Sequence, residues 1–219
     1  MAGCDAQKVR HPPVVPGDLD LLAARAASLI GARRTLLGIT GAPGAGKSTI
    51  AGRLADAVAK SVVVPMDGFH LPTADLLRLG RVDRRGAPDT FDADGFVGLL
   101  ETLRSAAGDI EAPGFDRSIE EPVPGAVSVP ATTRLVIVEG NYLLLDTLPW
   151  SRAAGFLDAV WFIQSPERIR VERLAARFIA YGMPPAAARE RVEHGSDARN
   201  AELVAASMHR ADLIIAAAG

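Results

Sequence analysis

The chain has 219 residues, of which 48% are hydrophobic and 23% are charged, and its formal net charge is −2. These values are ordinary for a soluble globular protein and give no basic field for nucleic acid. The one cysteine, Cys4, excludes an internal disulfide and a cysteine-rich metal site. The start of the chain has no apolar signal core, and no apolar segment is long enough to span a bilayer, so we expect a cytoplasmic protein without membrane insertion.

Predicted strands and helices alternate along the chain. After a flexible tail over residues 1–17, the patterns predict helices over 18–32, 47–59 and 94–107, and strands over 35–40, 61–66, 135–138, 158–163 and 213–216. Segments 68–93 and 108–133 contain many glycines and prolines and are predicted to be irregular. Because the strands are apolar throughout, they predict an α/β three-layer sandwich with a mainly parallel sheet of five or slightly more strands.

A phosphate-binding motif lies between the first predicted strand and the following helix. GAPGAGKS matches G-x-x-x-x-G-K-[ST] in full and predicts a P-loop NTPase fold. The glycines let backbone N–H groups surround phosphate oxygens, the lysine reaches the β- and γ-phosphates, and the serine ligates Mg²⁺. We expect the nucleotide to contact Gly41, Ala42, Pro43, Gly44, Ala45, Gly46, Lys47, Ser48 and Thr49.

Two further apolar strands end in a carboxylate followed by glycine. Asp67-Gly68 follows one strand and Glu139-Gly140 ends another, so both acids are expected at the carboxyl edge of the sheet. Glu139 is a candidate metal ligand, and Asp67 is a candidate base for an acceptor hydroxyl. Asp-Gly is also a common turn pair, and the pattern alone supports a turn and a catalytic role equally.

Four segments together resemble the phosphoribulokinase, uridine kinase and pantothenate kinase group of P-loop kinases. They are MDGFHLP, LLRLGRVDRRGAPDTFD, GFDRSIEEPVPG and VIVEGNYLLL. The resemblance covers about residues 36–215. The sequences of the MDGFHLP and EGNYLLL motifs are most similar to those of fructose transport system kinases and nucleoside/nucleotide kinases. It implies one kinase domain over residues 18–219, with a substrate-side insert over about 68–133 and a helical lid over about 173–195.

The resemblance also implies residue roles. Asp67 would be the general base, and the acceptor would lie beside the substrate-side residues, namely Phe69, His70, Arg85, Phe115, Arg117, Asn141 and Tyr142. His70, taken alone, is equally well explained as a packing histidine. Two departures leave the substrate open: Phe115-Asp116-Arg117 replaces the Tyr-Ser-His of pantothenate kinases, and Ser118-Ile119-Glu120 lacks the histidine of uridine kinases.

An arginine-rich helix, SPERIRVERLAARF, follows the strand DAVWFI. Ser165 is its predicted N-cap, and Ser196 with Asp197 is predicted to cap a later helix. By resemblance, Arg173 would be a catalytic arginine that neutralises the transferring phosphate, and Arg177 a second nucleotide contact, although Ala176 replaces an arginine common in uridine kinases. A solvated basic face also explains these arginines. The run 181–185, YGMPP, would break the helix and hinge the lid.

The sequence therefore predicts an ATP- and Mg²⁺-dependent kinase that phosphorylates a hydroxyl on a small molecule, a sugar of the fructose type or a nucleoside. A pantothenate-like alcohol and a regulatory P-loop ATPase are the alternatives. The basic loop from Arg81 to Arg85 suggests an acceptor with negative charge or many hydroxyls, and a solvated loop explains it as well. Nothing in the sequence defines the oligomeric state, and a homodimer is compatible with it.

Overall fold

Six parallel strands form the central sheet of the protein, in the order β1-β8-β7-β2-β6-β3. A computed structural model describes residues 11–217; Cys4 and most of the predicted tail lie outside these residues. The strands are β1 (Val14–Pro16), β2 (Thr35–Thr40), β3 (Ser61–Pro65), β6 (Leu135–Glu139), β7 (Ala159–Gln164) and β8 (Leu213–Ala216), while β4 (Ile110–Asp116) and β5 (Glu121–Val129) form a separate antiparallel pair. The α/β three-layer fold with a mainly parallel sheet is thus confirmed.

Seven α-helices complete the described part of the chain. They are α1 (Leu19–Leu29), α2 (Lys47–Ala57), α3 (Thr73–Leu79), α4 (Ala93–Ser105), α5 (Glu167–Ala180), α6 (Pro185–Glu193) and α7 (Ser196–Ala206). Buried side chains of α1 and α2 pack on one face of the sheet, and those of α4 and α7 pack on the other. Between residues 11 and 217, no helix has the length and apolarity needed to cross a membrane.

Burial explains why the central strands form where the sequence predicts them. Every residue of β2 and β6 is buried, which matches their uninterrupted apolar runs. Helix α1 begins at Leu19, one residue after its predicted start, and Asp18 is its cap: Asp18 Oδ1 accepts a hydrogen bond of 2.9 Å from the Leu21 N–H. Asp92 caps α4 in the same way, through the Gly95 N–H.

Strand register aligns the carboxyl ends of β2, β6 and β3. Glu139 at the end of β6 pairs with Ile39 of β2 on one side and with Pro65 of β3 on the other. Two residues beyond these partners the chain reaches Gly41, which opens the phosphate loop, and Asp67. The three segments therefore leave the sheet side by side.

Three segments differ from the sequence-based predictions. Val14–Pro16, within the predicted tail, adds a strand to the sheet by pairing with β8. Residues 68–93 contain α3, which buries Leu76, as well as two short 3₁₀ turns. Residues 108–133 form the β4–β5 hairpin despite four prolines, because a two-stranded ribbon has outer edges where a proline removes no ladder hydrogen bond.

Both predicted serine caps are wrong. Helix α5 begins at Glu167 with Pro166 at the cap position, and Ser165 makes no capping bond. Helix α7 begins at Ser196 after Gly195, and the Asp197 carboxylate accepts instead from Arg191 Nε at 3.1 Å. The predicted helix break is confirmed, since α5 ends at Ala180 and α6 begins at Pro185.

Gly68→Ala should destabilise the fold, because a methyl group at Gly68 would stand 2.2 Å from the Pro113 carbonyl oxygen of β4. We expect a loss of about 1–3 kcal/mol in the free energy of unfolding, measured by urea denaturation. Gly98→Ala is the matched control: its methyl group would meet nothing within 4 Å, and alanine favours helix α4. Equal stability of the Gly68→Ala and wild-type proteins would contradict this close approach.

Candidate active site

The phosphate loop joins β2 to α2 through backbone conformations that favour glycine. Gly44 and Gly46 have φ angles of 82° and 97°, in the region that side chains disfavour. A Cβ atom at Gly44 would also stand 2.6 Å from the backbone oxygen of Arg170, so α5 packs directly on the loop. The loop ends at the positive N-terminus of α2, which favours a bound anion.

Lys47 lies across this loop. Its Nζ donates hydrogen bonds to the carbonyl oxygens of Gly41 at 3.0 Å and Ala42 at 3.1 Å. Burial lowers the pKa of Lys47 to about 8, although the neighbouring Glu139 and Asp67 favour its charged form. The Lys47 ammonium is therefore held at the loop, where burial disfavours its charged form. A phosphate bound at the loop would stabilise that form.

The predicted loop residues divide between two sides of the loop. Pro43, Gly44, Lys47 and Ser48 line the central cavity. Ala42 and Ala45 instead line a separate cavity against α5 and α7, and the Ala45 N–H donates to the Ala42 carbonyl at 3.0 Å. Their side chains thus face away from the central cavity. Nucleotide contact by the loop, Gly41 to Thr49, stays a prediction.

Two carboxylates face the same cavity from neighbouring strand ends. Glu139 Oε1 accepts a hydrogen bond of 2.9 Å from Ser48 Oγ. Burial and the nearby Asp67 charge raise the pKa of Glu139, while Lys47 and Ser48 oppose the shift. Hydroxyl and carboxylate oxygens meet here, as the sequence predicted for a metal site.

Asp67 lies in a 3₁₀ turn, Met66–Phe69, directly after β3. Burial alone would raise its pKa, but His70, Arg117 and Lys47 outweigh that effect and hold the pKa of Asp67 below its ordinary value. Arg117 makes an ion pair with Asp67 Oδ2. Asp67 is consequently ionised, and one of its oxygens is engaged by a guanidinium.

His70 belongs to an aromatic wall of the cavity. Its ring lies 4.0 Å from the Phe91 ring and 4.7 Å from the Phe115 ring, measured between centroids. Nδ1 lies 2.8 Å from the backbone oxygen of Asp67. Burial lowers the pKa of His70, although the Asp67 charge opposes the shift. The imidazole is therefore neutral near pH 7, where it offers a flat, weakly polar surface, and it acts on Asp67 as a cation only at the lower pH where Asp67 titrates.

Two predicted substrate-contact residues, Phe69 and Tyr142, lie outside the cavity in this structure. Tyr142 is fully buried among Phe91 and Trp150, and its hydroxyl donates to the Gly86 carbonyl, so it supports the wall from behind. Phe69 packs edge-on against Phe96 in the core and borders a second cavity behind the wall. Side chains of consecutive residues at a strand end or in a turn point in different directions. The resemblance did not show which of these side chains face the cavity.

The remaining predicted substrate-side residues do meet in the cavity: His70, Arg85, Phe115, Arg117 and Asn141. Arg85 is held by the Glu120 backbone oxygen and by Thr73 Oγ1, each at 2.5 Å. The Asn141 backbone oxygen accepts from Thr40 Oγ1 at 3.0 Å. These bonds fix both residues at the cavity edge.

The arginines of α5 have three different positions. Arg177 lines the cavity, where burial and the nearby Arg117 charge lower its pKa. Arg173 is exposed outside the cavity, with its Nη1 3.9 Å from the place a Cβ would take on Gly46. Arg170 is buried and donates to the Pro43 carbonyl at 3.3 Å, so it supports the loop. Of these three arginines, Arg177 alone lines the cavity, and the predicted phosphate contact of Arg173 stays a prediction.

Helices α6 and α7 contribute cavity residues that were not predicted as site residues. Arg191 and Asp197 form an ion pair at 3.1 Å, and Asn200 is buried beside them. The Asn200 Nδ2 atom has no hydrogen-bond partner among the described residues. Asp197, Asn200 and Val204 follow helical spacing on a buried face, and polar residues within such a stripe were the available signal.

The cavity has a volume of about 100 Å³, whereas ligand sites generally measure about 300–1,000 Å³. Residues on α5, α6 and the hairpin border it, namely Arg177, Tyr181, Arg191 and Arg117. The cavity between these elements is therefore smaller than sites that hold a nucleotide or a metabolite.

No protein-family model matches the chain. The ATP-dependent kinase-like protein notR' of Aspergillus versicolor is 40% identical over 137 residues, covering 58% of this chain and 80% of that protein. The Schizosaccharomyces pombe protein C227.14, whose name proposes a uridine kinase, is 35% identical over 162 residues, 69% of each chain.

A solved structure is similar to this chain over more of its length than either of these two relatives. The crystal structure of a Silicibacter sp. TM1040 protein, whose name proposes a fructose transport system kinase, superposes with a TM-score of 0.83 at 35% identity. The match covers 90% of this chain and 98% of that one.

The low pKa of Lys47 predicts that nucleotide affinity falls as pH rises. Lys47 is charged below pH 8 and neutral above it, so binding of a Mg²⁺–ATP analogue should weaken between pH 7.5 and 9.5, by up to about tenfold per pH unit above the pKa. Titration calorimetry measures this dependence. Lys47→Arg is the control, since a guanidinium stays charged and should give a flat profile. A flat wild-type profile would contradict the assignment.

Proposed function

The chain belongs to the family of ATP-dependent P-loop kinases that contains these relatives, and from this premise we propose that it transfers the γ-phosphate of ATP to an alcohol group of a small molecule, a sugar of the fructose type or a nucleoside. One observation carries the proposal. The phosphate loop and an ionised carboxylate, Asp67, follow β2 and β3, the two strands that flank β6 in the sheet, and both border one cavity.

Asp67 suits the role of general base in position and in charge. Its pKa lies below the ordinary value, so the carboxylate is ionised at neutral pH, as a base must be before it accepts a proton. As the acceptor oxygen bonds to the γ-phosphorus, the bond from that phosphorus to the β,γ-bridging oxygen breaks. The acceptor proton passes to Asp67, and ADP leaves with the electron pair of the broken bond.

Cationic side chains would stabilise the transferring group. Lys47 extends over the phosphate loop, and Arg177 projects into the cavity from α5. Both are partly desolvated, which strengthens their interaction with a phosphate because the local dielectric constant is low. Catalysis would then depend mostly on positioning and charge neutralisation.

The residues present fit a magnesium ion bound together with ATP. The Ser48 hydroxyl and the Glu139 carboxylate supply the hard oxygen ligands that Mg²⁺ prefers. From residue 11 to residue 217, no group of three or more His, Cys, Asp or Glu side chains could hold a metal alone, so phosphate oxygens and water would complete the coordination. When bound, Mg²⁺ neutralises charge on the β- and γ-phosphates.

The cavity wall supports an acceptor with a broad, partly apolar face. Phe91, His70 and Phe115 offer adjoining ring surfaces, while Arg85 and Asn141 offer polar groups at the edge. Sugars and nucleosides both combine such faces with several hydroxyl groups. A coupled ADP-release screen over sugars, nucleosides and pantothenate-like alcohols, with product identified by mass spectrometry, tests the acceptor class.

Asp67→Asn should abolish most of the transfer without abolishing ATP binding. General-base catalysis contributes about 10²–10⁴-fold, so kcat should fall by that factor while calorimetry shows nucleotide affinity within a few-fold of wild type. Asp56→Asn, an exposed carboxylate on α2, is the control and should keep full activity. Unchanged kcat in Asp67→Asn would remove the base assignment. ATP hydrolysis that is independent of every acceptor would favour a regulatory ATPase.

Of the two α5 arginines, Arg177 should contribute more to catalysis than Arg173. Arg177→Ala removes a charge from the cavity and should lower kcat/KM by about 10²-fold or more. Arg173→Ala removes an exposed charge at the loop and should cost about tenfold or less. Steady-state kinetics of both variants decide this, and a larger loss in Arg173→Ala would reverse the assignment.

A further inference from the structure

The carboxylate proposed as the general base is engaged by an arginine from another part of the fold. Arg117 follows β4 at the tip of the β4–β5 hairpin and pairs with Asp67 Oδ2. The tip is ordered by Asp116, whose Oδ1 accepts from the Ser118 N–H at 2.8 Å and from Ser118 Oγ at 2.6 Å. The Arg117 guanidinium also lies 5.8 Å from the centre of the Phe115 ring.

This ion pair conflicts with proton transfer. An oxygen that accepts a charge-assisted hydrogen bond from a guanidinium is a poorer acceptor for the proton of an incoming hydroxyl. The acceptor hydroxyl must therefore compete with Arg117, or Arg117 must move to another partner. A partly desolvated guanidinium that loses its carboxylate without gaining an anion would be destabilised.

The other cavity cations restrict what that partner can be. Arg85 is bonded to Glu120 and Thr73, and Arg191 is paired with Asp197. Arg177 has no carboxylate within 4.0 Å in the described part of the chain and lies on the α5 side beside the phosphate loop, where ATP phosphates would meet it. Among these cations, Arg117 alone has the proposed base as its partner, so an acceptor whose hydroxyl reaches Asp67 also reaches Arg117.

We infer that the acceptor carries an anionic group, a carboxylate or a phosphate ester, close to the hydroxyl that is phosphorylated. This inference rests on the proposed kinase function and narrows its acceptor from a neutral sugar or nucleoside to an anionic molecule, such as a hydroxy acid, a sugar phosphate or a nucleotide. On binding, the anionic group takes Arg117 from Asp67 Oδ2, and the freed carboxylate receives the hydroxyl proton. A neutral alcohol leaves Arg117 on Asp67 and reacts slowly.

Matched acceptors test this inference directly. Three pools differ in charge: glycerol, fructose and uridine are neutral; glycerate, gluconate and pantothenate are hydroxy acids; glycerol 3-phosphate, fructose 6-phosphate and uridine monophosphate are phosphate esters. Glycerol, glycerate and glycerol 3-phosphate share one carbon skeleton and form the matched set. We expect kcat/KM for one anionic pool to exceed that of the neutral pool by about 10- to 100-fold, as for a charged hydrogen bond. The second and third pools distinguish a carboxylate from a phosphate.

Arg117→Ala should reverse this preference. For the preferred anionic acceptor, KM should rise by about 10- to 100-fold, while neutral acceptors should react as well as or better than with wild type because Asp67 is free. Arg117→Lys, which keeps the charge, should retain part of the preference. Arg25→Ala, an exposed arginine of α1, is the control and should leave both unchanged.

Binding gives a readout that does not depend on turnover. With a non-hydrolysable ATP analogue bound, calorimetry should show the anionic acceptor binding about 10- to 100-fold more weakly to Arg117→Ala, with the neutral acceptor unchanged. Equal use of neutral and anionic acceptors by wild type, or an equal loss for both in Arg117→Ala, would overturn the inference and leave the kinase proposal standing. No phosphorylated product from any pool would contradict the kinase proposal itself, and the inference would fall with it.

Discussion

Three parallel strands end level with one another, and this alignment fixes where the charged residues of the site can be. The register places Ile39, Glu139 and Pro65 side by side at the ends of β2, β6 and β3. Parallel strands lie about 4.8 Å apart, so the phosphate loop and Asp67 begin about 10 Å from each other with Glu139 between them. That separation suits a γ-phosphate and an acceptor hydroxyl placed between the loop and the carboxylate.

Charges gathered at this edge depend on one another. Lys47, Arg117 and Arg177 stand near Asp67 and Glu139, and each pKa shift in the group has a neighbour among its causes. Burial alone would favour the neutral forms of both acids, and the neighbouring cations keep Asp67 ionised. Substituting one member therefore changes the protonation or position of the others, which is why matched variants that keep the charge are informative at this site.

The sheet could be predicted closely because its strands are apolar on both faces. Predicted and observed bounds of β2 agree, and those of β3 and β6 differ by one residue at one end. The β4–β5 hairpin was missed because its prolines resemble loop signals, although an isolated ribbon tolerates them at its edges. Strand β1 was missed because three residues are too few for a period, and its stability comes from pairing with β8, a contact distant in sequence.

Side-chain direction was the part of the site that sequence could not supply. Motif matching grouped Asn141 with Tyr142 and Phe69 with His70, yet one member of each pair faces the cavity and the other packs away from it.

A crystal structure with Mg²⁺, a non-hydrolysable ATP analogue and the acceptor identified by the screen measures directly whether Asp67 meets the reacting atoms. We predict that a carboxylate oxygen of Asp67 lies about 2.6–3.2 Å from the acceptor hydroxyl, on the side facing the γ-phosphate. A carboxylate turned away from that hydroxyl, with another base in its place, would contradict the proposed chemistry.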